Sequence, residues 1–176
     1  IIAILSSIAV PNFSKMSARA KQTAARVELS GVYTAEQSFF AEFSTYHANL
    51  PYIGYIPDGW GLETADATAG CPLVSNGPQN TRYYAVGFEA GIASVATVPT
   101  GAPAITCIGN GNGRTFYLGT VPGSDSASLI TPALSSLASS NQFKAAAVGK
   151  ISSSGTKTDQ WTINETKNLV NVQPGI

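Results

Sequence analysis

The sequence predicts an α+β fold: one long N-terminal helix packed on an antiparallel β-sheet. Three observations predict it. Residues 12–44 contain no proline, are dominated by Ala, Lys, Arg, Gln and Glu, and place their apolar positions on one stripe. Residues 81–176 carry short aromatic and β-branched runs separated by turn signals. The helical pattern precedes the strand pattern instead of alternating with it, which is the order of an α+β chain. A length of 176 residues suits one domain with its own core.

The helix divides into two halves. In residues 25–45 the apolar positions are Ala25, Leu29, Val32, Tyr33, Phe39, Phe40 and Phe43, with Glu36 near the same face. Leu29, Val32, Tyr33, Phe39, Phe40 and Phe43 are expected to pack on the sheet, while Lys21, Arg26, Glu28, Ser30, Gln37 and Glu42 face solvent. Gly31 is a soft point, about 1 kcal/mol worse than Ala in a helix. Residues 1–24 are different. The ten residues before Pro11 carry no charge and are apolar all round. As helix they span about 15 Å, half of a bilayer core. The expectation is that the chain begins within a longer apolar helix. Pro11, with Ser6 and Ser7 just upstream, predicts a kink or local unwinding. Next comes a basic collar, Lys15, Arg19, Lys21 and Arg26, before the first acid at Glu28. It suits lipid headgroups, carboxylates of neighbouring copies or plain solvent. One half of this helix therefore belongs to its own domain, and the other to a bilayer or to other helices.

Beyond the helix, residues 46–80 read as an irregular connection with Pro51, Pro57, Pro72 and Pro78 and the anchors Tyr52, Tyr55 and Trp60. Strands are expected at 82–88, 92–98, 104–108 and 115–118, with a glycine-rich turn at 109–113. Residues 124–140 read as a short helix or surface loop. The chain then closes with strands at 144–151, 160–163 and 168–172, joined by turns at 152–157 and 164–167.

Composition excludes several functions. Charged residues make up 11% of the chain, ten basic and ten acidic, so no global field steers a polyanion. Near-zero net charge also removes a barrier to self-association. His47 is the single histidine, beside Tyr46 and Asn49, and is read as a capping or surface residue rather than a catalytic base. There is no P-loop and no metal-ligand spacing, so no cofactor or metal is expected. Lys144, Lys150, Lys157 and Lys167 are candidates for nucleic-acid contact, interrupted by Asp159 and Glu165. Serines in 124–128 and 135–140 are possible glycan sites, though a polar loop is the commoner reading. Cys71 and Cys107 either form a disulfide, whose loop of about 37 residues would stabilise by roughly 4 kcal/mol, or remain buried thiols.

The run Ile1-Ile2-Ala3-Ile4-Leu5-Ser6-Ser7-Ile8-Ala9-Val10-Pro11-Asn12-Phe13 resembles the interior of the N-terminal helix of type IV pilins and their pseudopilin relatives. Ala18-Arg19-Ala20-Lys21-Gln22, Tyr33-Thr34-Ala35-Glu36 and Ser38-Phe39-Phe40 resemble type IVa pilins more specifically. Asp159-Gln160-Trp161-Thr162-Ile163-Asn164 and Lys167-Asn168-Leu169-Val170-Asn171 resemble the last hairpin of some of these pilins. The resemblance covers roughly the first 45 and the last 20 residues. It implies a ladle-shaped major subunit whose filament-core contacts fall on Ile1, Ile2, Ile4, Leu5, Ile8, Val10, Pro11 and Phe13. It further implies many copies of the chain in an extracellular fibre of a Gram-negative-type bacterium, serving surface attachment and twitching-type motility. Before assembly the subunit would be anchored in the inner-membrane bilayer, cleaved by a prepilin peptidase and extracted by inner-membrane assembly machinery. The helix between Ala3 and Pro11 would lose helicity in the fibre. The family's methylated first residue and the acid that follows it match no residue here, so neither role is assigned. The alternatives are a pseudopilin of a type II secretion system and a minor tip pilin acting as adhesin or DNA receptor.

Overall fold

In a computed structural model of the chain, the described residues are 2–50, 53–57, 62–66, 71–74, 83–88, 116–117, 137–151 and 158–175, with the backbone alone described for 2–11, 62–66, 71–74, 116–117 and Leu137. A single helix, α1, runs from Ile2 to Phe43, 42 residues or about 63 Å. It continues through Pro11. The local unwinding expected there is therefore absent from this helix, because one missing backbone bond is carried by its neighbours in so long a helix. At its other end Ser44 takes a left-handed conformation, φ 56°, and donates its N–H to the Phe40 carbonyl at 2.8 Å. This ends the helix by the usual αL stop, without the glycine that suits it best.

The strands are β1 (Leu62–Asp66), β2 (Cys71–Val74), β3 (Tyr84–Gly87), β4 (Phe116–Tyr117), β5 (Leu137–Ala138), β6 (Phe143–Gly149), β7 (Asp159–Asn164) and β8 (Leu169–Gln173). The main sheet is antiparallel in the order β4-β3-β6-β7-β8, with β5 also pairing β6. α1 lies against β3, β6 and β7. The α+β arrangement of helix on antiparallel sheet is as the sequence predicts.

Register explains the core. Tyr84, Val86, Ala145, Ala147, Trp161 and Ile163 come from three neighbouring strands and share the face that meets α1. Ala145 and Ala147 in the central strand let the helix come close. Phe88, Phe143, Leu50 and Tyr46 close the core toward the end of α1. There the rings of Phe40 and Tyr46 stack at 4.5 Å, and Tyr46 meets Phe143 edge-on at 4.9 Å.

Two expectations are corrected. Within 46–80, read as irregular, β1 and β2 form a separate antiparallel pair, Leu62 opposite Val74 and Asp66 opposite Cys71, with a register shift between Glu63 and Asp66. A two-stranded pair tolerates Pro72 because the edge needs no donor on both sides. Within 124–140, Leu137 and Ala138 are strand, held by the Ser139–Gln142 turn, whose backbone bond measures 2.9 Å. The strands expected at 92–98 and 104–108 and the turns at 109–113 and 152–157 lie outside the described residues.

Candidate self-assembly helix and its seat on the head

From Ala18 onward α1 repeatedly returns one face to the head. Ala18, Ala25, Leu29, Val32, Glu36 and Phe39 are all buried, at the three- and four-residue spacing of one helical stripe. Tyr33, Phe40 and Phe43 are half-buried and pack against that core. Before Ala18 the pattern stops: Asn12, Phe13, Ser14, Lys15 and Met16 are exposed. Phe13 is 75% and Met16 69% exposed, and Val27, on the outward face, 66%. Of Ile2, Ile4, Leu5, Ile8, Val10 and Pro11 the helical backbone alone is described, and Ile1 lies outside the described residues. Among the described residues no helix is long and apolar enough to cross a membrane.

Lys21 and Gln37, both expected to face solvent, are half-buried, because long side chains can lie along apolar surface and deliver their polar ends to partners. Lys21 donates to the Ile151 carbonyl at 3.3 Å and sits 4.8 Å from the Tyr83 ring. Arg26 lies 4.7 Å over the Trp161 ring. Gln37 reaches the Tyr46 hydroxyl at 3.3 Å and the Glu165 carbonyl at 3.4 Å. Of the basic collar, Lys15, Arg19 and Arg26 are exposed and Lys21 is half-buried. Gly31 is a contact residue and not merely a soft point: a Cβ there would lie 2.9 Å from the Tyr55 ring.

Sequence reading missed the main polar centre, Asp159. This fully buried carboxylate begins β7. One oxygen accepts from Gln22 Nε2 at 2.9 Å, Gly175 N–H at 2.9 Å and Asn171 Nδ2 at 3.3 Å. The other accepts from Tyr84 O–H at 2.6 Å and Trp161 Nε1–H at 2.5 Å. Tyr84 and Asp159 are both in register with Gly149 of the intervening strand. A Cβ on Gly149 would lie 3.0 Å from Tyr84 Cδ1, so its absence lets the phenol reach across β6. Burial and the neighbouring carboxylate push the Tyr84 hydroxyl above its ordinary range, so it stays a donor. The signal was present in the sequence: Asp159 shares strand parity with Trp161 and Ile163, which places an acid on an apolar face.

A second polar centre joins α1 to the segment after it. Glu36 is fully buried, and its Oε2 accepts the His47 N–H at 3.2 Å. Its Oε1 has no hydrogen-bond partner among the described residues. Desolvation pushes this carboxyl up to about 8, so it is protonated at neutral pH. His47 is buried, which corrects its reading as a surface residue, and burial lowers its pKa. Its Nδ1 accepts the Asn49 N–H at 3.0 Å, so it caps the turn after α1. No nucleophile is placed beside it by these bonds.

Of the lysines considered for nucleic acid, three lie among the described residues. Lys144 and Lys150 stand at opposite ends of β6, about 20 Å apart at strand spacing. Lys167 is in the β7–β8 turn, 5.7 Å over the Tyr33 ring, and Lys157 lies outside the described residues. Among the described residues no three His, Cys, Asp or Glu side chains come together as a metal site. Cys107 lies outside the described residues, as do the side chain of Cys71 and serines 124–128, 135 and 136.

A helix seated on the sheet from Ala18 onward and exposed at residues 12–16 is the arrangement to compare with known proteins. No protein-family profile matches the chain. A curated protein of Myxococcus xanthus (strain DK1622), described as Type IV major pilin protein PilA, is 34% identical over 118 residues. That match takes in 65% of this chain and 44% of the relative. Over that stretch the chain is similar to this type IV major pilin. The chain thus spans less than half the length of the curated protein it matches.

Proposed function

We propose that this chain is a structural subunit, the major one, of a type IV pilus, and that it polymerises through the N-terminal half of α1. The observation that carries the reading is the division of that helix at Ala18: one stripe beyond it is buried on the head, whereas Phe13 and Met16 before it are exposed. Large apolar side chains exposed on a helix, as Phe13 and Met16 are, gain by being covered. Residues Ile1, Ile2, Ile4, Leu5, Ile8, Val10, Pro11 and Phe13 form the filament core in this reading. Before assembly the bilayer covers them, and afterwards neighbouring helices do. Transfer between the two is nearly neutral in hydrophobic terms, so side-chain packing and polar pairs decide assembly. An inner-membrane machine and a prepilin peptidase are the partners this life cycle requires. Export to an extracellular fibre, attachment, twitching-type motility and pairing of Cys71 with Cys107 belong to the same proposal.

The test is to shear fibres from cells and identify their dominant protein by mass spectrometry, reduced and unreduced. This chain should dominate and show the mass shift of one disulfide. If fibres are abundant and this chain is a trace component, the rod reading fails, and a tip pilin or a secretion pseudopilin replaces it.

A further inference from the structure

The place where α1 leaves the head is built from polar side chains. The buried stripe ends in small residues, Ala25 and Ala18, with Gln22 between them. Alanine burial is non-directional and fixes no angle well. Hydrogen bonds are directional. At this exit α1 is gripped at three positions within two turns. Lys21 reaches the Ile151 carbonyl and the Tyr83 ring, Gln22 reaches Asp159, and Arg26 covers Trp161. Two of the three grips depend on one carboxylate. Asp159 receives Gln22 directly, and it fixes the Trp161 indole on which Arg26 lies. Asp159 is itself held by Tyr84 across the side-chain-free Gly149, by Asn171 of β8 and by the Gly175 N–H of the tail. The tail presses so closely that a Cβ on Gly175 would lie 2.8 Å from the Asp159 Cβ.

We infer that Asp159, with Lys21 and Gln22, forms a clamp that sets the direction in which the projecting helix leaves the head. Asp159 is the positioning residue, and it acts through Gln22 and through the Trp161 ring under Arg26. If the chain is a fibre subunit, this direction decides where each head lies once the helices bundle. The clamp itself does not depend on that reading.

The experiment measures direction separately from stability. Spin labels are attached through a keto-bearing amino acid at Lys15, on the exposed arm, and at Asn168, on the far turn of the head, in the full chain in detergent micelles. This leaves both cysteines untouched. About 20 residues of helix separate the levels of the two sites, a span of about 30 Å that pulsed dipolar spectroscopy resolves. The wild type should give one narrow distance distribution. Lys21→Met with Gln22→Ala should give one about twice as broad, the directional bonds being gone, with a melting temperature within about 3 °C of wild type. Asp159→Asn should broaden it too and should also lower the melting temperature, since the carboxylate serves the sheet and tail as well. A distribution in the double variant as narrow as in the wild type would overturn the clamp, leaving Ala18 and Ala25 to fix the exit. So would a broad distribution in the wild type, or a melting loss in the double variant as large as in Asp159→Asn.

Discussion

Glu36 is a residue whose ionisation the fold resists. In the unfolded chain its carboxyl titrates near 4.5, and in the folded chain near 8. A raised folded pKa contributes stability that is fully present below about pH 4.5 and is lost as pH rises to about 8, roughly 3–5 kcal/mol over the window. His47 has the opposite sign. Burial lowers its pKa from 6.5, so its contribution is present above pH 6.5 and is lost as pH falls through the folded value. Glu36→Gln keeps an acceptor for the His47 N–H and abolishes the alkaline loss. Urea midpoints measured from pH 6.5 to 9, above the His47 window, should fall in the wild type and stay nearly flat in the variant, and equal slopes would refute this assignment. Gly149 makes a second prediction at this scale. A Cβ there would clash with the Tyr83 carbonyl oxygen as well as press against the Tyr84 ring. Gly149→Ala is expected to destabilise by about 2–3 kcal/mol in chemical denaturation, with most of the cost from overpacking a central strand.

At the scale of elements, α1 was legible because its apolar stripe repeats at helical spacing without interruption. The predicted span 12–44 ends within a residue of the observed Phe43. Val27 and Leu29 test the two faces of that helix directly. Leu29 is fully buried and Val27 is mostly exposed. Leu29→Ala should cost about 3 kcal/mol in thermal or urea unfolding, and Val27→Ala less than about 0.5 kcal/mol; similar losses would place the wrong face on the sheet. The strands β3, β6, β7 and β8 were legible from aromatic and β-branched runs and from the turn at 164–167. In that turn Asn164 Oδ1 accepts the Asn168 N–H at 2.9 Å, and Lys167 takes φ 60°. β1 and β2 were not legible. Leu62–Asp66 carries two acids and Cys71–Val74 a proline, and pairing between them is a tertiary outcome that local propensity does not show. Asp159 was read as an interruption in a basic region because its five donors come from α1, β3, β7, β8 and the tail. Apart from the shared parity with Trp161, nothing local announces such a meeting point.

Across the whole molecule, the helix is both the spine of the head and an arm that extends beyond it. The head covers its own stripe from Ala18 to Phe39, leaving Phe13 and Met16 uncovered. The central claim is that other copies of the chain cover them. The most direct measurement places the photo-crosslinker benzoylphenylalanine at Phe13 in cells that make the fibre. Irradiation should give a ladder at multiples of the subunit mass, with adducts mapping to the N-terminal helix of a second copy. A Phe13 probe that yields monomer alone, or adducts only within its own chain, would contradict assembly through this helix.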